Sequence, residues 1–259
     1  MRTFITSRQW QEHYRANASN QLPIPWDLGA ELSPTETHAV IQSLQAWQLG
    51  ETSDGSHLLA AARRYAAQTG DSEFLAVVQL FINEENRHGE LLGRFLDLHG
   101  AGRIPRNWGD SIFRLLRYAL PNLEVWTTVV IVVETMALIY YRAIMQATTS
   151  PVLRTICRQI LKDEVHHLQF QYERLAQMHD GRGTCARWLT LGLQRILFLG
   201  TILAVWVGHH RPLKAGGFPL SRFWRTTWKR MALHWQRMGL IRSIPSSNSG
   251  YQISRANSV

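Results

Sequence analysis

The segment DEVHH at residues 163–167 decides the fold, together with EENRH at residues 84–88. Each carries a glutamate followed three positions later by a histidine, Glu164 with His167 and Glu85 with His88. Residues three apart share one face of an α-helix, so both side chains of a pair point the same way. One such pair often arises by chance. Two pairs, each preceded along the chain by a single glutamate, predict a metal site built from several helices.

Helix-starting and helix-ending signals divide the middle of the chain into four long helices. Ser33-Pro34-Thr35-Glu36 is a capping box with proline at the first helical position, and Gly70 and Gly100 are helix-ending residues. The predicted helices cover residues 34–69, 72–99, 122–147 and 151–178, and the connection before the third holds a short helix at 109–119. Two helical hairpins joined by a long crossover predict an all-α, ferritin-like four-helix bundle.

Glutamates lie at the midpoints of these four helices, and midpoints of similar-length antiparallel helices lie at one level. Four carboxylates and two imidazoles therefore converge in the core. Unpaired carboxylates are costly in an apolar interior, and a pair of divalent cations removes that cost. A mixed set of carboxylates and imidazoles suits iron or manganese. The predicted metal ligands are Glu51, Glu85, His88, Glu134, Glu164 and His167.

Glu134 is the sharpest of these residues. It is the only charged residue in VWTTVVIVVETMALIYY, residues 125–141. The alternative is a glutamate that faces solvent or pairs with an arginine, but the burial cost of a lone acid in such a run favours a ligand. The same run is short for a membrane-spanning helix.

The fourth helix offers two overlapping pairs, Asp163 with His166 and Glu164 with His167. The apolar stripe favours the second pair, since it shares its helical spacing with Leu153, Cys157, Ile160, Leu161, Leu168 and Leu175. Asp163 is then either an acceptor that orients an imidazole across the bundle, His88 being the candidate, or a solvated side chain.

Glu51 lies in a segment that forms helices poorly, because Gly50, Thr52, Ser53, Asp54 and Gly55 surround it. The helix is either interrupted there or carries a bulge at the site. Asp54 is the alternative ligand. Glu84 is expected to be solvated or to support a ligand, and His179 is expected at the surface.

These residues resemble the ligand pattern of the ferritin-like di-iron carboxylate superfamily over roughly residues 34–178. The resemblance implies two Fe ions, or one Mn and one Fe, and chemistry with dioxygen or peroxide. The chain departs from several subfamilies: Leu92 replaces the tyrosine of ribonucleotide reductase radical subunits, and Ile160 replaces the extra histidine of arylamine N-oxygenases. Two distant cysteines exclude a rubredoxin module like that of rubrerythrins. A substrate oxygenase, hydroxylase or oxidase is left by elimination.

Charge is distributed unevenly. Residues 1–180 hold 16 Lys and Arg against 19 Asp and Glu, whereas residues 181–259 hold 12 Lys and Arg and no acid. Only two cysteines are present, Cys157 and Cys185, too few for a disulfide scaffold or a four-cysteine zinc site. They fit a reducing compartment, and the first residues lack the apolar region of a secretory signal. These features predict a cytoplasmic location, with or without attachment to a membrane.

The C-terminal third contains two further predicted helices. Residues 187–208 are long and apolar enough to span a bilayer, but Gln194 and Arg195 interrupt them and favour a fifth helix packed on the bundle. Residues 221–238 place Trp224, Trp228 and Trp235 on one face among basic residues. That face either contacts a membrane surface or packs on the bundle, and nucleic acid is a lesser alternative because no recognition motif is present.

The predicted organisation is therefore a lead-in at 1–33, a di-metal bundle at 34–180, C-terminal helices at 181–242 and a disordered tail at 243–259. The predicted function is a di-iron or Mn/Fe oxidoreductase that activates dioxygen and oxidises or oxygenates an apolar or anionic organic substrate, with a lipid-like molecule as one candidate. It would take electrons from an external donor. Two alternatives remain: a ferroxidase without an organic substrate, and a metal-free helical scaffold associated with membranes.

Overall fold

The structure is a computed structural model and describes residues 4–52, 55–118 and 122–241. These residues form α-helices joined by short segments, and no strand occurs among them. In chain order the helices are α1 (Ser7–Ser19), α2 (Pro34–Glu51), α3 (Ser56–Thr69), α4 (Phe74–His99), α5 (Trp108–Tyr118), α6 (Leu123–Ala147), α7 (Pro151–Met178), α8 (Thr184–Ala215) and α9 (Leu220–Arg237).

The predicted ferritin-like bundle is confirmed. Its four positions are taken by α2 with α3, α4, α6 and α7. α2 and α3 pack on α4, α6 packs on α7, and α4 contacts α7 across the bundle. The long connection from α4 to α6 contains α5, as the crossover of the predicted topology requires. The capping box at Ser33 starts α2, with the Glu36 amide donating to Ser33 Oγ at 3.2 Å.

The predicted helix at 34–69 is two helices, with a break that follows Glu51 directly. Gly55 precedes α3 with φ +68°, a left-handed conformation that side-chain-bearing residues rarely adopt. A Cβ at Gly55 would also overlap the side chain of Ile82 on α4. Glycine is therefore required where α3 turns back onto α4, and of the two options left by the sequence the interruption is the one adopted. The alternative ligand Asp54 lies outside the described residues.

The predicted lead-in contains a helix that belongs to the core. α1 begins with a capping box, in which the Gln9 amide donates to Thr6 Oγ1 and the Gln9 side chain accepts from the Thr6 amide at 3.0 Å. It packs on α4 and buries Trp10 and Tyr14 to 2% exposure. The predicted lead-in at 1–33 thus includes a helix at residues 7–19 that the sequence analysis did not identify.

The two C-terminal helices pack on the bundle along α6. α8 buries Leu191, Phe198, Ile202 and Val205 there. On α9, Trp235 is 1% exposed, donates to Gln194 Oε1 at 3.0 Å, and lies beside the half-buried Trp228. Burial of Trp235 matches the alternative in which this helix packs its tryptophans on the protein. The tail predicted to be disordered, 243–259, lies outside the described residues.

Among the described residues, two helices are long and apolar enough to cross a membrane, α6 and α8. In α6, 72% of the apolar window is buried inside the protein, as expected for the central helix of a bundle. In α8 only 33% is buried. The two helices therefore present different surfaces to their surroundings, although their mean hydropathy is the same, 1.7.

Candidate metal centre

All six predicted ligands lie together in the core, and their role as ligands stays a prediction. They form two groups in which candidate ligand atoms lie within 4.8 Å of one another. The first group takes residues from α2, α4 and α7, and the second from α4, α6 and α7. Glu85 belongs to both. The groups are Glu51, Glu85, His88 and Glu164, and Glu85, Glu134 and His167.

Both histidines point Nδ1 toward the centre, and a carboxylate on the far side of each ring contacts Nε2. Asp163 Oδ2 lies 2.9 Å from His88 Nε2, and Glu84 Oε2 lies 3.0 Å from His167 Nε2. The acid that precedes the candidate ligand glutamate on each helix thus holds the histidine of the opposite helix. A proton at Nε2 that is donated to the carboxylate leaves the Nδ1 lone pair facing inward, the arrangement of metal-bound histidine.

A third layer of side chains holds these two carboxylates. Asn17 on α1 donates from Nδ2 to Glu84 Oε1 at 2.5 Å and to Asp163 Oδ1 at 2.7 Å. Arg87 also donates to Glu84, at 2.7 Å, and Gln159 donates to both oxygens of Asp163. Sequence analysis left Glu84 either solvated or supporting, and the structure buries it to 1% exposure. α1 therefore connects the supports of both histidines.

The inward-facing atoms of the centre lack partners within the protein. Among the described residues, those buried atoms without a hydrogen-bond partner include Glu85 Oε1, His88 Nδ1, Glu134 Oε2, Glu164 Oε2 and His167 Nδ1. His167 Nδ1 and Glu85 Oε1 are 2.7 Å apart but not aligned as a hydrogen bond. Buried polar atoms are normally paired, so five that converge on one point fit a bound ligand. Nitrogen and carboxylate oxygens fit a pair of first-row metal cations.

Electrostatics agree with that fit. Burial raises the pKa of Glu51 and Glu134 well above the usual range, and repulsion from neighbouring carboxylates adds to the rise. Burial also raises the pKa of Glu164. Burial opposes the charged forms of Glu85 and His167 too, but their mutual attraction outweighs it, so the pKa of Glu85 is lowered and that of His167 is raised. Without cations, the cluster therefore retains protons.

Two neighbours of the candidate ligands were missed by sequence analysis. Tyr141 Oη donates to Glu51 Oε1 at 2.5 Å, and Gln171 Nε2 donates to Glu134 Oε1 at 2.5 Å. Tyr141 is seven residues after Glu134, and Gln171 is seven after Glu164. Two helical turns separate each from a glutamate on its own helix, so periodicity was a usable signal.

His179 is buried, although the sequence predicted it at the surface. It is 2% exposed, and its Nε2 lies 3.2 Å from Glu124 Oε1.

A cavity of about 430 Å³ reaches the centre from the protein surface. Four of the candidate ligands line its inner end: Glu51, Glu85, Glu134 and Glu164. Its walls near the centre are mostly apolar and are formed by Trp47, Val129, Val130, Val133, Ala137 and Val205. Exposed residues of α2, α5 and α8, among them Gln42, Trp108, Val207 and Gly208, also line it and mark where it opens.

Comparison with solved structures finds the same fold in proteins that carry a metal cofactor. Two variants of an R2-like ligand-binding oxidase, both with an aerobically reconstituted Mn/Fe cofactor, match with TM-scores of 0.68 and 0.64. Each match covers 91% of this chain and 94% of the other at 16% identity, so the likeness concerns the fold. No protein-family model matches the chain, and no curated protein matches it.

Proposed function

We propose that the chain is a dinuclear-metal oxidase or oxygenase that uses dioxygen to oxidise an apolar or amphiphilic organic substrate. The observation that carries this proposal is the convergence of five unpartnered buried ligand atoms at the end of a cavity. The metal-bearing oxidases that share the fold support the same class of chemistry. The partners of this reaction would be dioxygen, the substrate and an external electron donor.

Two Fe ions, or one Mn and one Fe ion, would be held by the six predicted ligands, with Glu85 common to both positions. When bound, the metal pair would supply the electrons that reduce dioxygen. The protein's own residues hold the centre: Asp163 and Glu84 fix the imidazoles, and Gln171 fixes the Glu134 carboxylate. Burial raises the pKa of Tyr141 well above its usual range. Its hydroxyl therefore stays protonated and donates a hydrogen bond to Glu51.

The cavity favours an organic substrate over iron oxidation alone. A ferroxidase needs a polar route for hydrated iron, whereas the inner walls here are mostly valine, alanine and tryptophan side chains, with Ser43 and His209 as polar exceptions. Its volume lies within the range of small-molecule sites, roughly 300–1,000 Å³. Arg211 and His210 also line the cavity and suit an acidic group at the outer end of an apolar substrate.

Metal loading tests the first half of the proposal. Protein incubated anaerobically with Fe(II), or with Mn(II) and Fe(II), should retain close to two ions per chain after desalting. Glu134→Ala should lose at least one of them because it removes a buried carboxylate from the centre. Glu90→Ala is the matched control, since Glu90 lies on α4 beside the centre but is exposed and paired with Arg103 at 2.9 Å. Equal loading of all three proteins would refute the assignment.

Dioxygen consumption tests the second half. With a reductant present, loaded protein should consume dioxygen faster when a long-chain apolar acid or alcohol is added, and an oxidised product should accumulate. Glu134→Ala should show neither effect, whereas Glu90→Ala should behave as the parent. Consumption that depends only on added Fe(II), with ferric iron as the sole product, would establish a ferroxidase instead.

A further inference from the structure

The outer face of α8 is apolar and exposed along most of its length. The side chains on this face are between 58% and 70% exposed, and they are Trp188, Leu189, Leu193, Ile196, Leu203 and Val207. From Leu189 to Val207 they are spaced three, four or seven residues apart, with the exposed Gly200 in the seven-residue interval, so they form one stripe on the side of the helix away from α6. The stripe covers residues 188–207, before a kink in α8 at His209, and this part of the helix is about 30 Å long, so the stripe is far more extensive than a single exposed leucine.

Helix α5 continues the stripe into a wider surface, which we call the α5–α8 face. Trp108 is 49% exposed, and its ring would lie 3.6 Å from a Cβ at Gly208 of α8. Beyond it α5 exposes Ile112, Leu115 and Leu116, with Leu115 at 69%. Soluble monomers rarely expose contiguous apolar patches larger than a few hundred Å². A surface of ten such side chains on two adjacent helices therefore indicates a binding partner.

Positive charge predominates around the face. No Asp or Glu follows Asp180 in the sequence. α8 itself carries Arg187, Arg195, Arg211 and Lys214. On α5 the acid Asp110 is matched by Arg114, whose Nε lies 2.7 Å away. A second copy of the chain would bring like charges together across a two-fold interface, whereas an anionic surface would complement them.

We propose that the α5–α8 face docks on a bilayer that contains anionic phospholipid, with α8 lying in the plane of the interface. The apolar stripe would enter the boundary between headgroups and acyl chains, and the basic side chains would contact lipid phosphates. α8 lies on the surface and does not span it, because its opposite face is part of the core through Leu191, Phe198 and Ile202. This docking does not rest on the proposed function.

The cavity gives the docking a consequence for access. Trp108, Val207 and Gly208 belong both to the α5–α8 face and to the cavity lining. A molecule dissolved in the bilayer would thus reach the candidate metal centre without crossing water. The contact predicted through the tryptophans of 221–238 stays a prediction, since Trp235 is buried but Trp224 is 38% exposed.

Vesicle binding of the purified full-length chain tests the proposal. The chain should sediment with vesicles of phosphatidylcholine mixed with phosphatidylglycerol, more weakly with phosphatidylcholine alone, and less at high salt. The double variant Ile196→Glu with Leu203→Glu should bind at least about tenfold more weakly, because it places two charges in the apolar stripe. A solvatochromic probe on the exposed Cys185, at the start of the stripe, should shift to the blue only when the parent binds.

The matched control is Leu28→Glu with Leu98→Glu, which makes the same charge change at two exposed leucines, 44% and 46%, outside the face. It should bind as the parent does. Circular dichroism and metal content of both variants should equal the parent's, since none of the four side chains is buried. Failure of the parent to bind either vesicle, or equal binding by the α8 variant, would overturn the proposal. So would a parent dimer in sedimentation velocity that the α8 variant dissociates, because the occupant would then be a second copy.

Discussion

Replacing Asn17 by leucine should lower the metal affinity of the centre and the stability of the protein. Asn17 lies on α1, a helix that contributes none of the predicted ligands. The change removes the two hydrogen bonds that Asn17 donates to Glu84 and Asp163 and keeps the side chain's approximate size. A hydrogen bond to a charged group contributes roughly 1.5–3 kcal/mol. Arg87 and Gln159 still donate to the two carboxylates, so we expect a loss of about 2–4 kcal/mol in the free energy of unfolding.

Two measurements check this expectation. At about 2 °C per kcal/mol for a chain of this size, the metal-free variant should melt about 4–8 °C below the parent. Anaerobic titration should show metal affinity lower by roughly 10–100-fold, as is typical when the support of a metal-bound histidine is lost. Asn83→Leu is the control, because Asn83 is exposed on α4 beside Glu84 and its side chain accepts from the exposed Gln79. An unchanged Tm and affinity in Asn17→Leu would refute the role given to α1.

Three further outcomes are expected. Burial alone would raise the pKa of Glu124, but hydrogen bonds from His179 and Arg182 outweigh burial and lower this pKa to about 2. The parent should therefore lose its stability advantage over Glu124→Gln as pH falls from about 5 to 2, and urea unfolding measures this difference. Gly216→Ala should lower the free energy of unfolding by about 1–3 kcal/mol or more, because its Cβ would overlap a backbone carbonyl of α6. Gly200→Ala has open space around its Cβ and should raise the free energy of unfolding by about 0.5–1 kcal/mol, as measured for both variants by thermal melting. Metal affinity should fall as pH falls from 7 to 5, because cations must displace protons from the buried glutamates, and a flat pH profile in titration calorimetry would contradict that.

Local signals in the sequence predicted the bundle well. Capping residues and terminal glycines act through nearby backbone, so the starts of α2 and α7 and the end of α4 fell within a residue or two of their predicted positions. The level of the four glutamates followed from helix lengths alone. Glu51 still lies with the other three despite the break after it, because α2 and α3 both pack on α4.

Features that depend on packing were less accessible. α1 had a usable signal, Thr6 and Gln9 as a capping box, but its sequence is polar and its role depends on a contact with α4. No sequence pattern indicates that Asn17 would lie between two acids that are 67 and 146 residues away. Which face of α8 is exposed depends on which helices cover the opposite face. The hydropathy of α8 alone therefore could not decide whether the helix is buried, interfacial or membrane-spanning.

Both candidate metal positions need residues from α4 and from α7, and this constrains when a newly synthesised chain can bind metal. Each group draws residues from both halves of the bundle: the first needs Glu164 of α7, and the second needs Glu85 of α4. A nascent chain that has emerged only as far as α4 therefore has neither position complete. Capture of metal by the six predicted ligands would therefore await synthesis beyond His167 and the docking of α7 against α4. Iron or manganese would thus be acquired late, by a chain whose two halves have already docked, and a chain starved of metal would form a completed bundle that holds protons on its central glutamates in place of the cations.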